Sequence, residues 1–284
     1  GMGRQAFEGD LAFREAFETA SAAVRTAGGP DLLDTLFRDD LAERLTGADY
    51  AQPLLFALQV SLVQALAAHG IRPDAVAGHS VGEVAAAWAA GALDLDQAAM
   101  LCVRRARCQA PLEGSGTMAA VLASADDVQG LIAELDLRQT SLAADNSPRG
   151  ATVSGPVEEI RHLIAEGRTR RIPMRTLQVA YPFHGSMMES IETPLRAAVA
   201  DLRPRDGTIP FFSTTLACQT PGDALNADYW WRNARQAVRF RETMLCLAEH
   251  GAAVFVEIGP QPTLQNYITD TLKAAGSATR YVSG

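Results

Sequence analysis

The chain has 284 residues, 48% of them hydrophobic and 20% charged, with a formal net charge of −8. That is enough chain for a sizeable core in one large or two unequal domains, and an ordinary globular composition. The acidic balance, with no basic stripe, speaks against nucleic-acid binding, and Lys273 as sole lysine leaves Schiff-base chemistry almost nothing to work with. The four cysteines, Cys102, Cys108, Cys218 and Cys246, show no C-x-x-C spacing and read as reduced thiols of a cytoplasmic protein. No uninterrupted apolar run reaches the ~18 residues of a membrane span, and no signal peptide opens the chain. No metal and no bound cofactor is assigned.

In chain order, residues 8–27 and 53–69 carry helical apolar spacing, the second through Leu55, Leu58, Leu62 and Leu66. Ala75–Ala77 reads as the end of a buried strand. Residues 81–90 and 96–109 are Ala- and Arg-rich helix formers, and "PLEGSG" (111–116) is a loop by composition. The period then changes. "TMAAVLA" is a strand, and "SADDVQGLIAEL" is a helix capped by its serine. "TSLAADNS" and "GATVSG" are two strands around a turn, "PVEEIRHLIAEG" is a helix opened by proline, and "TRRIPMRTL" is a strand. This βαββαβ order is that of a ferredoxin-like unit. After residue 182 longer helices return, with apolar strands in "TIPFFST" and "AAVFVEIG". The expected fold class is α/β, a large α/β-hydrolase-like domain (1–116 and 182–284) with an inserted ferredoxin-like domain (117–181). The basic run "RTRRIPMR" reads as the solvated edge of a strand.

Gly78-His79-Ser80-Val81-Gly82 matches the G-x-S-x-G elbow, in which a strained strand-to-helix turn projects the serine hydroxyl. Glycines on both sides leave room for the turn and for an acyl group. The following helix aims its positive end at the site, and the N–H of Val81 is a natural oxyanion donor. Glu83 reads as a first-turn acid favouring the helix dipole, not as a base. The serine needs a proton acceptor. His69 and His250 stand at helix ends and His162 on an outer helix face. His79 adjoins the nucleophile, but neighbouring side chains diverge in such a turn, so it is expected to pack or bond locally and is counted with the substrate-binding residues rather than as the base. His184, in "VAYPFHGSMMESI" between Pro182 and Gly185, remains as the base.

Together these residues resemble the acyltransferase domain of type I polyketide synthases and the malonyl-CoA:acyl-carrier-protein transacylases. The likeness spans six ordered blocks: "YAQPLLFALQVSL", "GHSVGEVAAAWAAGALDLDQAA", "VRRARCQ…EGSGTMAAV", "AYPFHGSMM", "YWWRNARQAVRF" and "FVEIGPQPTLQ". The resemblance implies that Ser80 carries the acyl group. It implies that His184 is oriented by a main-chain carbonyl, to be sought in Asn233–Arg239. Arg105 matches the arginine that grips a malonyl carboxylate, for which a planar guanidinium with two parallel bonds is suited. Gln52 matches a site-lining glutamine. Phe183, directly before His184, resembles the malonyl-type pattern, because its ring crowds an α-methyl. Tyr181 opens the methylmalonyl-type version instead, and Pro182 belongs to neither.

The implied activity loads malonyl from malonyl-CoA onto Ser80 and passes it to the phosphopantetheine thiol of an acyl carrier protein. The coenzyme A thioester is a substrate and the phosphopantetheine belongs to the partner. The family begins with a strand and a Gly-x-Gly-x-Gln loop ahead of the Gly-Met-Gly that opens this sequence. As written, the chain is expected to lack one strand and one oxyanion donor, a deficit of ~10²–10³ in rate. Its ending at "YVSG" suggests neighbouring domains of a multidomain synthase. The rivals are a serine hydrolase (an esterase or patatin-like lipase) and an inactive scaffold domain. Against a patatin-type dyad, the chain offers only Asp206-Gly207-Thr208 and Gly222-Asp223-Ala224 where Asp-Gly-Gly or Asp-Gly-Ala is needed.

Overall fold

A computed structural model of the chain describes residues 3–277 and 280–283. The Gly1-Met2 start of the opening Gly-Met-Gly lies outside them. The first half is helical: α1 (Arg4–Gly9), α2 (Leu11–Thr26), α3 (Leu32–Phe37), α4 (Leu41–Arg44) and α5 (Ala48–Ala68). The single helix expected over 8–27 is broken at Asp10. Its side chain accepts the N–H of Phe13 at 2.8 Å and starts α2 as an N-cap. Helix α5 is long and apolar enough to cross a membrane by length and composition, with mean hydropathy 1.5. Half of that stretch is buried inside the protein, where Leu54, Phe56, Leu58 and Val60 join the main core.

Strand β1 (Val76–Ala77) leads through the elbow into α6 (Gly82–Ala89), followed by α7 (Leu95–Gln109). The predicted βαββαβ succession then appears as β2 (Thr117–Val121), α8 (Ala125–Glu134), β3 (Ser141–Ser147), β4 (Gly150–Gly155), α9 (Val157–Thr169) and β5 (Met174–Thr176). Its strands form one antiparallel sheet in the order β3-β4-β2-β5, over a separate small core that includes Val128, Leu131, Val153, Ile160 and Leu163. Ser124 caps α8 by accepting from Asp127 N at 3.1 Å, as its sequence indicates. The basic run is not mainly a strand. Arg168 lies in the last turn of α9, Arg171 turns back with φ +60°, and only Arg175 stands on β5. Cations at that end complement the helix dipole.

The remaining chain adds a 3₁₀ segment (Ser186–Ile191), α10 (Glu192–Ala198), β6 (Phe211–Ser213), β7 (Cys218–Gln219), α11 (Ala227–Arg235), α12 (Phe240–Glu249), β8 (Val254–Glu257), α13 (Gln265–Ala274) and β9 (Arg280–Ser283). β1 pairs with β6 in parallel, Val76 beside Phe211, although the two lie 135 positions apart in the chain. That pairing brings the elbow beside the Ser213–Thr215 turn. β8 pairs with β9, also in parallel. The main core gathers α2, α5, α6, α7, α10 and α11 around the fully buried Trp230. A third core joins Ala144 of β3 to Phe212, Val238, Phe240 and Met244. The chain is a mixed α/β fold.

Candidate active site

The elbow is strained at Ser80, the residue expected to be the nucleophile. Ser80 has φ +56°, a left-handed conformation that costs a non-glycine residue about 1–3 kcal/mol. Its carbonyl accepts from Glu83 N at 3.0 Å and from Asn233 Nδ2 at 3.2 Å. Of the two motif glycines, Gly78 is the one that sterics demand. A Cβ there would stand 2.2 Å from the main chain at Glu83 N. At Gly82 a Cβ would meet only Gln59 Nε2, at 3.7 Å, so the expected need for glycine on both sides holds on one side. Val81 is the N-cap of α6, and its N–H has no acceptor among the described residues. That leaves it free for an oxyanion.

His184 also has positive φ, +59°, and is buried. Its Nε2 lies 2.6 Å from Ser80 Oγ, and its Nδ1 lies 2.9 Å from the carbonyl oxygen of Gln236. A carbonyl can only accept, so Nδ1 carries the proton and Nε2 is free to take the one from Ser80. The pair has the geometry of a serine–histidine dyad, oriented by the main chain just past α11. Burial, then the positive charge of Arg105, pushes the His184 pKa down to about 3, so the ring is neutral and ready to accept.

Arg105, on α7, is 2% exposed. Its Nη1 donates to Gln52 Oε1 at 2.6 Å and to Gln109 Oε1 at 3.3 Å, and Gln52 Nε2 donates to Gln109 Oε1 at 2.7 Å. No carboxylate forms an ion pair with it among the described residues, and Arg105 Nε has no partner there. Burial lowers its pKa to about 10, still a cation at neutral pH. A buried, uncompensated guanidinium within electrostatic reach of the dyad is a place for an anionic group. The neighbouring arginines diverge, as three in four residues must. Arg104 holds Ala198 O at 2.6 Å and Asp201, and Arg107 holds Gly28 O.

Phe183 is half-buried and stacks on Tyr181, ring centroids 4.9 Å apart, beside His184. Tyr181 is itself pinned, accepting from Ala48 N at 3.2 Å and donating to Glu113 Oε2 at 3.1 Å. His79 turns away from the reaction. Its Nε2 bonds Asn146 Oδ1 at 2.8 Å and its ring packs on Phe240. Burial keeps its pKa below the ordinary value.

Gln109, Asn233 and the buried role of Glu83 escape the sequence reading. Gln109 follows Arg105 by four residues, the spacing that stacks side chains on one helix face. Glu83 is fully buried, not a solvated first-turn acid. Its carboxylate accepts from Thr214 N (2.5 Å), Thr214 Oγ1 (2.9 Å), Thr215 Oγ1 (3.2 Å), Tyr229 OH (2.7 Å) and Asn233 Nδ2 (2.8 Å). Burial pushes its pKa up against the pull of those donors. It pins α6 to α11, the helix whose end orients His184. Tyr229→Phe removes one donor to it. We expect a loss of about 1.5–3 kcal/mol, read as a lower urea midpoint.

The acyl transferase domain family model matches residues 1–283. The chain is 39% identical over 245 residues to the polyketide synthase GfsA of Streptomyces halstedii, covering 86% of this chain and 3% of that protein. It is 34% identical over 277 residues to the erythronolide synthase EryA2 of Saccharopolyspora erythraea, covering 98% and 7%. The chain thus spans a small fraction of those curated relatives. Among solved structures, it superposes on the acyltransferase domain from module 8 of the salinomycin polyketide synthase with TM-score 0.96 and 32% identity, covering 100% of this chain and 67% of that one. It superposes on MCAT from Streptococcus pneumoniae with TM-score 0.88 and 26% identity, covering 100% and 91%. The chain belongs to the acyl transferase domain family, which includes the acyltransferase domains of polyketide synthases.

Proposed function

We infer that the chain takes a malonyl group from malonyl-CoA onto Ser80 and delivers it to the phosphopantetheine thiol of an acyl carrier protein, in a multidomain synthase. The observation that carries this reading is the buried Arg105, hydrogen-bonded to Gln52 and Gln109 but with no carboxylate partner among the described residues, together with the Ser80–His184 pair. In the first step Ser80 Oγ gives its proton to His184 Nε2 and attacks the thioester carbonyl. The N–H of Val81 stabilises the developing oxyanion. Collapse expels CoA, whose sulfur takes the proton from His184. In the second step His184 removes the proton of the incoming thiol, which attacks the acyl-serine, and Ser80 leaves reprotonated. Arg105 holds the malonyl carboxylate throughout. The succession and strand order of 117–176 support a ferredoxin-like insert within 117–181, and the parallel β1–β6 pair with its elbow supports a hydrolase-like frame from 1–116 and 182–284.

The test is intact-mass analysis after mixing with malonyl-CoA, followed by addition of a phosphopantetheinylated carrier protein. An adduct that moves to the carrier supports the reading. Rapid release of free malonate without transfer favours the hydrolase, and no adduct favours the scaffold.

Phe183 supports malonyl over methylmalonyl, because its stacked ring stands next to the base. One methyl is worth only about 1–3 kcal/mol in a pocket. Phe183→Ser is therefore expected to raise methylmalonyl-CoA use relative to malonyl-CoA by roughly tenfold. An unchanged ratio of the two kcat/KM values would count against the steric account.

A further inference from the structure

One strand of the inserted unit touches every segment that carries the dyad. On β3, Ala143 O accepts Val238 N at 2.9 Å and Asp145 N donates to Val238 O at 2.9 Å. Val238 lies two residues beyond Gln236, whose carbonyl orients His184. Asp145 also takes Arg241 Nε at 2.9 Å. Ser141 Oγ accepts Ser186 N at 3.3 Å, two residues after His184. Gly185 sits so close that a Cβ there would stand 3.2 Å from Ser141 Cβ. The third contact reaches the nucleophile. Asn146 Oδ1 bonds His79 Nε2 at 2.8 Å, and Asn146 Nδ2 donates to Thr152 Oγ1 at 3.0 Å.

Ser80 and His184 both hold positive φ, and such strain persists only where the surroundings over-determine it. The Glu83 network fixes the elbow from the side of α11. Asn146 fixes it from the other side. Its amide is buried and used at both ends, so it cannot rotate without losing a bond. The His79 it holds supplies the carbonyl that accepts Gly82 N at 3.0 Å and closes the elbow turn.

We propose that Asn146 is a positioning residue for acyl transfer. Through His79 it holds the turn that presents Ser80, and β3 thereby sets the nucleophile in register with His184. This rests on the reading of Ser80 and His184 as the dyad.

The test is steady-state kinetics and intact-mass labelling with malonyl-CoA for Asn146→Leu, His79→Phe and the double variant. Misplacing a reacting group by about 1 Å can cost 10²-fold, so each single is expected to lower kcat by roughly ten- to a hundredfold. KM stays near wild type, because the hydrogen bonds of Arg105, Gln52 and Gln109 lie within α5 and α7. The double variant is expected to be no slower than the slower single, since one bond is lost once. Wild-type kcat in both singles, multiplying effects, or a KM that rises in step would overturn the proposal. If Asn146→Leu does not fold, Thr152→Val frees the Asn146 amide alone and should lower kcat in the same direction at constant KM; no change would overturn the proposal equally. Ser80→Ala separates the two readings. An adduct surviving in that variant means the dyad reading has failed. A dead Ser80→Ala beside a wild-type Asn146→Leu means that only the positioning proposal has.

Discussion

Ser80→Ala is expected to abolish the malonyl adduct, and His184→Ala to slow its formation by about 10²–10⁴-fold, the usual size of general-base catalysis. The two side chains meet at 2.6 Å, and no other ring nitrogen bonds Ser80 Oγ among the described residues. His79→Ala should cost no more than the roughly ten- to hundredfold in kcat expected from losing its contact with Asn146, and less than His184→Ala in the same assay. Equal losses at the two histidines would sink the assignment. The pH dependence gives a second readout. An ordinary histidine titrates near ~6.5, whereas burial and the charge of Arg105 hold His184 at about 3. The free enzyme should therefore keep its acylation rate through pH 6.5 and fall only at more acid values. The sign for stability follows. Between about 3 and ~6.5 the unfolded chain binds a proton at this residue that the folded one does not, so this residue lowers stability as pH falls through that window. A kcat/KM limb near pH 6.5 in the wild type would contradict the buried, neutral base.

Much of this was legible in the sequence, for local reasons. An elbow needs a glycine where a Cβ would strike backbone, and Gly78 stands there. The cap at Ser124 uses a side chain that bonds its own first turn, so it follows from short-range spacing, whereas Asp10 caps α2 in the same way inside a stretch expected to be one helix. The alternation of periods between 117 and 176 marked the strands and helices that form the β3-β4-β2-β5 sheet and its covering helices. What stayed hidden depends on pairing across the chain. Glu83 looks like any first-turn acid until β6 brings Thr214 and Thr215 beside it and α11 brings Tyr229 and Asn233. Asn146 looks like a turn residue until β3 docks on Val238. Elimination among five histidines selected His184, but only the fold shows its proton held by Gln236 O. The start of the basic run was misread because Arg168 closes a helix and Arg171, at positive φ, turns the chain before β5 begins.

Arg105→Ala is expected to weaken malonyl-CoA use by about 2–5 kcal/mol, roughly 30- to 5,000-fold in kcat/KM, the range for removing one partner of a buried charge pair. In the proposed transfer a malonyl group would bring a carboxylate into a site from which water must be kept, since water would hydrolyse the proposed acyl-serine. That charge needs a fixed cation, and Arg105 is a buried cation with no acidic partner among the described residues, held by Gln52 and Gln109. In the variant those two amides still bond each other, so the pocket keeps its frame while losing its charge. Uncharged donors such as acetyl-CoA should then be used better than by the wild type, because no lone cation has to stay buried beside them. Arg105→Leu, which keeps more of the side-chain volume, should show the same exchange and separates lost charge from a lost core contact. Arg104→Ala and Arg107→Ala should show neither effect, since their bonds run to Ala198, Asp201 and Gly28. The measurement is kcat/KM for malonyl-CoA and acetyl-CoA in all four variants. If Arg105→Ala lowers both donors equally, the arginine is structural, and selection of a dicarboxylic acyl group must come from elsewhere in the site.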